Sequence, residues 1–407
     1  MKKQLIALAV GAAFCGLAQA DGGVTLSGSL DVGVMSASKA RNPQPGNPTN
    51  TGSVVAIQDG AITPSTYTIS GFDTISPELK ATFNLTGGFN VGTGHNNSPG
   101  LPVNQGQLFG EQAYAGLEGG WGSAKVGLQL DPAFIAAIST EPRGMPLSFS
   151  SADFWILFTA FNGPTGTGLP SQPTGQALQG GIFDANSVSY SWAGNGLSIG
   201  ALYGFGGVAG SMQASSQYSI GASYTNSGIT GSAGYVVDKA NIGQGTAVYY
   251  TGDASKIWFA GLGYAFGAFA VRAQYQDFQA AFCATGTCGT AGANVKDWGI
   301  GVDWKSGANT LNLAFYDAKD DGAENLVGGV FIPNGGKTTE VALLDSYALS
   351  KRTSVFGQIA SVKVDSQTAS SGPGSSGALG GIYTPVGLTA VTGATTTFLE
   401  VGMILNF

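Results

Sequence analysis

The closing residues of the chain constrain its fold more than any other segment. From Leu399 to Phe407 every odd-numbered side chain is apolar, and the last residue is aromatic. Side chains of a β-strand alternate between its two faces, so one face of this segment is a continuous apolar row. Such a row suits the wall of a barrel whose outer surface contacts lipid and whose inner surface is polar. The segment therefore predicts an all-β fold, a transmembrane antiparallel β-barrel.

The first twenty residues have the three parts of a secretory signal. Two lysines precede an apolar run from Leu5 to Ala18, which ends in the small-residue cleavage site Ala18-Gln19-Ala20. A retained anchor helix is the less favoured alternative, because the run is shorter than the ~20 residues that a spanning helix needs. We expect residues 1–20 to be a signal peptide and residues 21–407 to form one barrel domain. Its destination is the outer membrane of a Gram-negative bacterium, reached through the periplasm.

The composition fits a membrane strand protein better than a soluble β protein. Only 10% of residues are charged, against ~25% in soluble domains, and 66 of the 407 residues are glycine. Removal of Lys2 and Lys3 from the 17 basic residues would leave 15 against 24 acidic ones, a formal charge of −9. This negative balance argues against nucleic acid as a partner. The expected partner around the wall is outer-membrane lipid.

Period-two segments recur along the chain, separated alternately by short turns rich in Gly, Asn and Ser and by long polar breaks. This is the pattern of bacterial barrels with short periplasmic turns and long outer loops. We expect about sixteen strands, with fourteen and eighteen as alternatives. The expected strands lie near 24–35, 66–71, 79–89, 108–118, 122–130, 186–193, 197–206, 216–225, 228–238, 255–266, 268–279, 294–305, 308–318, 337–350, 352–364 and 394–407.

The third long break, residues 131–185, is expected to fold into the lumen. It combines charged residues with the apolar patch Phe154–Phe158, which would be an aggregation hazard on a cell surface. Sixteen strands enclose a lumen too wide for wall side chains to fill, so a loop has room inside. The alternative is that the same patch forms a strand or a subunit contact.

Cys283 and Cys288 frame a four-residue stretch in an exported chain. Because exported proteins fold in an oxidising setting, we predict a small loop disulfide. A metal pair is less favoured, since no nearby His or second cysteine pair completes a tetrahedral set. No metal and no cofactor are expected elsewhere.

Five motifs resemble, in order and spacing, those of the trimeric Gram-negative general porins, particularly the betaproteobacterial type. The motifs are Val24–Gly33, Gly110–Leu117, Asn186–Tyr190, Tyr347–Thr353 and Val401–Phe407. The resemblance implies a sixteen-stranded barrel, a homotrimer, and a third loop that forms a constriction. It also implies passive diffusion of small hydrophilic solutes and ions, and insertion by the outer-membrane barrel assembly machinery with Phe407 as the terminal assembly signal.

The chain departs from the family at basic positions of the pore wall. Two family positions read Thr66 and Ser70, a third reads Glu111, and a fourth reads Leu128. The sign of the charges that line a narrow throat selects the permeating ion. We therefore expect a weakly cation-selective or neutral pore. The candidate lining residues are Thr66, Ser70, Lys80, Glu111, Lys125, Asp131, Glu141, Arg143, Asp153 and Arg272.

Two other functions compete with a general pore. An enzyme would need a nucleophile beside a base, and the single histidine, His95, lies in a polar loop, so we expect no enzyme. A substrate-specific channel for a small nutrient is the closer alternative. It would use as an apolar slide the loop aromatics Phe134, Phe149, Phe154, Trp155, Phe158 and Phe161, although packing of the loop against the wall is favoured for them.

Overall fold

The computed structural model describes the chain from residue 22 onward, with gaps in the loops. The described residues are 22–41, 51–96, 107–152, 154–155, 181–207, 209–213, 216–239, 255–280, 283–284, 287–288, 294–320, 324–327, 330–333, 336–365, 389–390 and 393–407. The expected signal peptide lies outside them. Within them, no helix is long and apolar enough to cross a membrane.

Strands dominate these residues, and a short helix follows the sixth of them. The strands are β1 (Gly23–Arg41), β2 (Thr51–Asp59), β3 (Thr66–Ser76), β4 (Leu79–Gly88), β5 (Gln112–Gly119), β6 (Gly122–Leu130), β7 (Phe183–Gly194), β8 (Leu197–Gly204), β9 (Gln217–Asn226), β10 (Ile229–Asp238), β11 (Ser255–Phe266), β12 (Phe269–Ala280), β13 (Cys283–Ala284), β14 (Thr287–Cys288), β15 (Asn294–Ser306), β16 (Asn309–Asp320), β17 (Glu324–Val327), β18 (Val330–Pro333), β19 (Gly336–Ala348), β20 (Thr353–Val364), β21 (Thr389–Ala390) and β22 (Thr395–Asn406), and the helix is α1 (Pro132–Ile138).

The strands close into a sixteen-stranded antiparallel barrel, as the sequence predicts. Each strand pairs with the next around the ring, and β22 closes it by pairing with β1, where Val34 lies opposite Val401. β3 pairs with the first half of β1 and β2 with the second half, so β2 and β3 act as one interrupted wall strand. Closure joins the first and last wall strands, whose edges lipid would otherwise leave without hydrogen-bond partners.

The first two wall strands differ most from the prediction. The long polar break expected after residue 35 is shorter than predicted, because β1 continues to Arg41 and β2 occupies part of that break. Between β2 and β3 the chain turns inward, where the Asp31 carboxylate accepts hydrogen bonds from the backbone N–H groups of Ile62 (2.7 Å) and Thr63 (2.8 Å). A wall side chain therefore fixes this interruption.

Turns of two to four residues join the strands at one end of the barrel. Asn195-Gly196 and Ser227-Gly228 have positive φ at both residues, the geometry of type I′ hairpin turns. Both described ends of the barrel lie here as well: Gly28 and Phe407 exchange two backbone hydrogen bonds of 3.0 Å. The longer connections lie at the opposite end, which we assign to the cell exterior.

The wall has an apolar outer face and a polar or small inner face. In β22, Val401 is 59% exposed on the outside whereas its neighbour Glu400 is 0% exposed on the inside. This confirms the alternation predicted for the closing strand. The buried hydrophobic residues gather inside the barrel, where the segment after β6 packs against the wall.

Candidate functional site

The segment that follows β6 enters the lumen through a capped helix. The Asp131 carboxylate caps α1 by accepting hydrogen bonds from the N–H groups of Ala133 (2.7 Å) and Phe134 (3.0 Å), and it accepts a third from Ser219 Oγ on β9 (2.7 Å). Pro132 takes the first helical position, where a missing N–H costs nothing. Asp131 is 0% exposed, and this burial raises the pKa of its carboxyl group. The residue therefore fastens the loop to the wall.

A strip of inward-facing glycines seats this segment. A Cβ atom at Gly221 would overlap the backbone of Pro132, and at Gly200 and Gly234 it would come within 2.9 and 2.8 Å of the Cβ atoms of Pro132 and Ala133. The strip continues at three positions that face Thr140 or Pro142, namely Gly261, Gly299 and Gly301. Since the loop backbone lies directly on the wall, only residues without a side chain fit there.

Glu141 organises the turn after the helix. Its carboxylate accepts hydrogen bonds from the backbone N–H groups of Arg143 and Met145, both 2.7 Å, from Ser151, and from the Tyr316 hydroxyl on β16 at 2.6 Å. It is 0% exposed. The carboxylate thus joins three parts of the loop to the wall.

Arg143 makes a second connection, to the strands that close the barrel. Its guanidinium donates to the carbonyl oxygens of Ser148 (3.0 Å) and Phe149, and to Gln358 Oε1 on β20 (2.8 Å). Gln358 in turn donates to Glu400 Oε2 on β22 (2.8 Å). The chain of hydrogen bonds holds a buried cation between loop and wall, beside a buried carboxylate.

An ion pair on the inner wall lies next to the loop and faces the lumen. Arg272 Nη2 on β12 lies 2.7 Å from Asp303 Oδ2 on β15, and the two side chains are 20% and 13% exposed. Arg272 and Asn312 also donate to the Pro142 carbonyl at 3.3 and 3.1 Å. The pair therefore supports the loop while part of its surface remains open to water.

The described loop follows the wall from α1 to the interruption between β2 and β3. It passes β8 to β11, then reaches β16 and β20, and Ser148 N–H donates to the Ala61 carbonyl at 2.9 Å. The inner faces of β3 to β6 lie outside this path. The predicted third loop is therefore on the inside of the barrel.

The remaining candidate residues that the structure describes lie on or beside β3 to β6, whose inner faces the described loop does not cover. Thr66 and Ser70 lie on the inner face of β3, opposite Ser29 and Thr25. Lys80 and Lys125 also face inward, with their ammonium groups 4.9 Å from the Phe72 ring and 4.7 Å from the Tyr114 ring. Glu111 is buried just before β5. Asp153 lies outside the described residues.

The described aromatic residues of the loop pack against each other and against the wall. Phe134 and Phe259 contact Trp155 edge-on, with ring centroids 5.3 and 6.1 Å away, and Trp155 Nε1 donates to Gln276 Oε1 at 3.0 Å. Phe149 and Phe154 are buried too. Phe158 and Phe161 lie outside the described residues. The four that are described form a packed cluster rather than an exposed slide.

Sequence analysis missed the wall side chains that receive the loop. Gln274 donates to the Ala137 carbonyl and to Thr140 Oγ1, both at 2.9 Å, and Tyr316, Gln358 and Glu400 hold Glu141 and Arg143 as described above. All are polar residues at inward positions of their strands. Their inward positions could be predicted from the alternation of the sequence, but the loop groups that they contact could not.

Two further predictions concern residues far from the loop. His95 is exposed in the connection after β4, where its carbonyl accepts a hydrogen bond from Asn90 N–H. Cys283 and Cys288 lie directly opposite each other in the short β13–β14 hairpin. This backbone pairing is compatible with a bridge, and the disulfide itself stays a prediction.

Comparisons with known proteins match this architecture. A family model described as Gram-negative porin matches residues 7–367. An outer membrane porin protein of Bordetella pertussis is 32% identical over 172 residues, which are 40% of this chain and 42% of that protein, so the match spans less than half of either.

Solved structures share the fold at low sequence identity. The anion-selective porin from Comamonas acidovorans superposes with a TM-score of 0.67 at 17% identity, over 95% of this chain and 100% of that one. A trimer form of OmpT from Vibrio cholerae gives a TM-score of 0.56 at 12% identity, over 95% and 99%. OmpF of Salmonella typhi gives 0.55 at 14% identity, over 94% and 97%.

Proposed function

The chain belongs to the Gram-negative porin family, and we propose that it lets small hydrophilic solutes and ions cross the outer membrane by passive diffusion. The likeness to the betaproteobacterial type is confirmed by the Bordetella relative, and the protein is an outer-membrane β-barrel. Its family and fold are those of a channel rather than an enzyme.

The observation that carries the proposal is the unequal lining of the lumen. The loop is fastened to the wall from β8 around to β22, whereas the inner face of β3 to β5 carries partly exposed polar side chains. Thr68 Oγ1 lies 2.9 Å from Thr86 Oγ1, and Thr86 donates to Asn84 at 2.7 Å. A hydrated wall opposite a docked loop leaves a route for water-soluble molecules.

For ion selectivity, we propose only a weak charge preference. The expected cation preference relied on the loss of basic wall positions and on the loop carboxylates Asp131, Glu141 and Asp153. The first two have no exposed surface, and the third lies outside the described residues. The expectation of cation selectivity is therefore not supported, and the anion-selective Comamonas porin shares only its fold with this chain. Partly or fully exposed charged residues on the described inner wall include Lys80, Glu118, Lys125, Arg272, Asp303 and Lys305.

Reconstitution of one preparation tests both the diffusion pore and its weak charge preference. In planar bilayers the purified protein is expected to give ohmic channels, with a small reversal potential in a potassium chloride gradient. In liposomes, swelling rates for uncharged sugars are expected to fall steadily with sugar size. Absence of channels would contradict the pore, whereas a reversal potential near the limit for either ion would contradict the weak preference.

A substrate-specific channel is the alternative, and the buried aromatic cluster does not favour it. Such a channel would show saturable flux and block of the current by micromolar concentrations of its nutrient. A diffusion pore is expected to show flux that rises linearly with solute concentration.

The assembly proposals follow from family membership. We propose a homotrimer, and the similar Vibrio structure carries that description in its own name. Light scattering of the detergent complex, corrected for bound detergent, measures the number of chains. We also propose that Phe407 is read by the barrel assembly machinery. Deletion of Phe407 should then lower the amount of folded barrel in outer membranes without lowering its synthesis.

A further inference from the structure

Two buried carboxyl groups meet where the loop leaves the wall. Asp131 follows β6, Asp184 is the second residue of β7, and each carboxyl group acts directly on the other. The backbones of the two segments are paired here, since Leu130 lies opposite Phe183 and Asp131 N–H donates to the Ile182 carbonyl at 2.9 Å. Both aspartate side chains are 0% exposed. We call Asp131 and Asp184 the acid pair.

The two carboxyl groups differ in the donors that they receive. Asp131 Oδ1 accepts hydrogen bonds from the N–H groups of Ala133 and Phe134 and from Ser219 Oγ. Asp131 Oδ2 and both oxygens of Asp184 have no hydrogen-bond partner at ordinary distance. Hydrogen bonds to a carboxylate favour its charged form, whereas burial without donors favours the neutral acid. The contacts therefore favour a charged Asp131 and a neutral Asp184.

A buried amide group and a third carboxyl group lie around the acid pair. The Gln217 side chain on β9 lies beside Asp184, and it is 0% exposed, with no hydrogen-bond partner for its oxygen or its nitrogen. Asp238, the last residue of β10, is opposite Gln217 in the strand register and also acts on Asp184. Its negative charge adds to the repulsion that an ionised Asp184 would meet.

The cations of these segments are turned away or distant. Apart from Asp184 and Asp238, the only charged residue of α1 and of β6 to β10 is Lys125. It precedes Asp131 by about 20 Å of strand, at ~3.3 Å per residue. Lys239 continues the ladder beyond β10 by donating its N–H to the Ser216 carbonyl at 2.9 Å. Strand alternation therefore turns its side chain to the face opposite that of Asp238.

We propose that Asp131 and Asp184 share one proton, and that this proton fastens the root of the loop to β7. A protonated carboxyl group has an O–H donor, so Asp184 can donate to Asp131 Oδ2, while the Gln217 amide can donate to the other Asp184 oxygen. Without the proton, two negative charges would face each other in a buried site. The acid pair therefore holds the loop at neutral pH and releases it when the proton is lost.

Loss of this proton should destabilise the folded state. An exposed aspartate ionises near pH 4, so at pH 7 the folded protein binds one proton more than the unfolded chain. Stability then falls as the pH rises through the range in which the acid pair ionises. Buried carboxyl groups can retain their proton up to about pH 8–9. We therefore expect the loss of stability between pH 7 and about pH 9.

Thermal unfolding of the whole barrel in detergent tests the acid pair. Followed by circular dichroism, the unfolding temperature of the parent is expected to fall by several degrees between pH 7 and about pH 9. Asp184→Asn supplies a neutral side chain of the same shape that can still donate to Asp131. It should be at least as stable as the parent at pH 7, and its unfolding temperature should stay constant over this range. The matched control Asp345→Asn removes an exposed carboxylate from β19 and should behave as the parent does.

Infrared spectroscopy locates the proton directly. The difference spectrum between the parent and Asp184→Asn at pH 7 should contain the C=O stretching band of a neutral carboxylic acid, and this band should vanish at alkaline pH. If Asp184→Asn does not fold, Asp131→Asn takes its place, because asparagine also caps helices and again leaves one carboxyl group in the pair. Asp131→Asn should likewise abolish the fall in unfolding temperature.

Channel recordings test the consequence for the loop. This readout rests on the proposed pore function, whereas unfolding and infrared spectra do not. Parent channels should be quiet at pH 7 and should fluctuate between conductance levels at about pH 9. Asp184→Asn channels should be quiet at both.

Three results would overturn the proposal. One is an Asp184→Asn variant that is less stable than the parent at pH 7 and gives no acid band in the difference spectrum, because Asp184 would then be ionised. The second is a fall in unfolding temperature that is equal in the parent and in Asp184→Asn. The third is a chelator that lowers the unfolding temperature of the parent but not of Asp184→Asn, because a divalent cation rather than a proton would then join the two carboxylates.

Discussion

The two sides of the lumen are lined by different kinds of residue, and these residues have different roles. The wall from β8 to β16 presents glycines and buried polar groups to the loop, and most of the described loop side chains that it contacts are buried. The wall from β3 to β5 presents hydroxyl and amide groups that are partly exposed. One side holds the loop by close packing and hydrogen bonds, and the other offers hydrated polar groups. Substitutions should therefore change stability on the first side and permeation on the second.

The largest effect is expected at the strip of inward-facing glycines that contacts the loop. In Gly221→Val the new side chain would overlap the backbone of Pro132, which cannot move without displacing α1. Overpacking costs about 1–3 kcal/mol where neighbours adjust, and the rigid loop should bring the cost to the upper end. We expect a lower unfolding temperature, measured by the shift between folded and unfolded bands on gels, together with noisier channels.

Gly231→Val is the matched control for that substitution. Gly231 faces outward on the adjacent strand, and a Cβ atom there would meet only Leu262 at an ordinary 3.6 Å. Its unfolding temperature should stay close to that of the parent. If the unfolding temperature fell equally in both variants, valine would be disturbing the strands themselves rather than the contact between glycine and loop.

The next effect is expected at Glu141. Glu141→Ala would leave the N–H groups of Arg143 and Met145 and the Tyr316 hydroxyl without their acceptor. Each buried group left unsatisfied costs about 1–3 kcal/mol. The variant should unfold at a lower temperature, and its channels should fluctuate between conductance levels as the loop loosens.

Tyr316→Phe tests the same contact from the wall. It removes a single donor and leaves the donors of Arg143, Met145 and Ser151 in place, so its loss of stability should be clearly smaller than that of Glu141→Ala. Losses of equal size would mean that the hydroxyl alone fastens the loop.

The contrast between the two sides also explains what the sequence could predict. Strand alternation is local, so counting residues along a strand predicts which side chains point outward and which inward. It predicts the outward row that includes Val401 and the inward position of Thr66. Loop contacts are not local. Tyr316 is 175 residues from Glu141, and Gln358 is 215 residues from Arg143. The charged groups of the loop were visible in the sequence, but the partners that bury them were not.

The glycines show the same limit. Their abundance indicated a membrane strand protein, yet it did not distinguish Gly221 in the inward-facing strip from Gly231 on the outer face. Only the register of neighbouring strands brings Gly200, Gly221 and Gly234 into one strip. β2 was missed for a related reason, since a wall strand interrupted by an inward turn has no uniform period.

On the open side, a charge should change selectivity while stability stays nearly constant. Ser70→Arg introduces a cation on the partly exposed inner face of β3. The permeability ratio of chloride to potassium should rise severalfold in dilute salt and less in 1 M salt, where the Debye length is about 3 Å. Reversal potentials at both salt concentrations measure this. Ser70→Gln, which adds bulk without charge, should leave the ratio unchanged.

The smallest effect is expected for a cation that is already present on this side. Lys125 faces the lumen from β6, and its ammonium group lies 4.7 Å from the Tyr114 ring. Lys125→Met removes the charge and keeps most of the length. Because water screens a partly exposed group, the reversal potential should shift slightly toward cations, by less than Ser70→Arg shifts it toward anions. Lys351→Met, in an exposed turn, should cause no shift. A change from Lys125→Met as large as that from Ser70→Arg would place Lys125 at the narrowest part of the pore, and the hydrated wall would then extend from β3 to β6 as a charge-selecting surface.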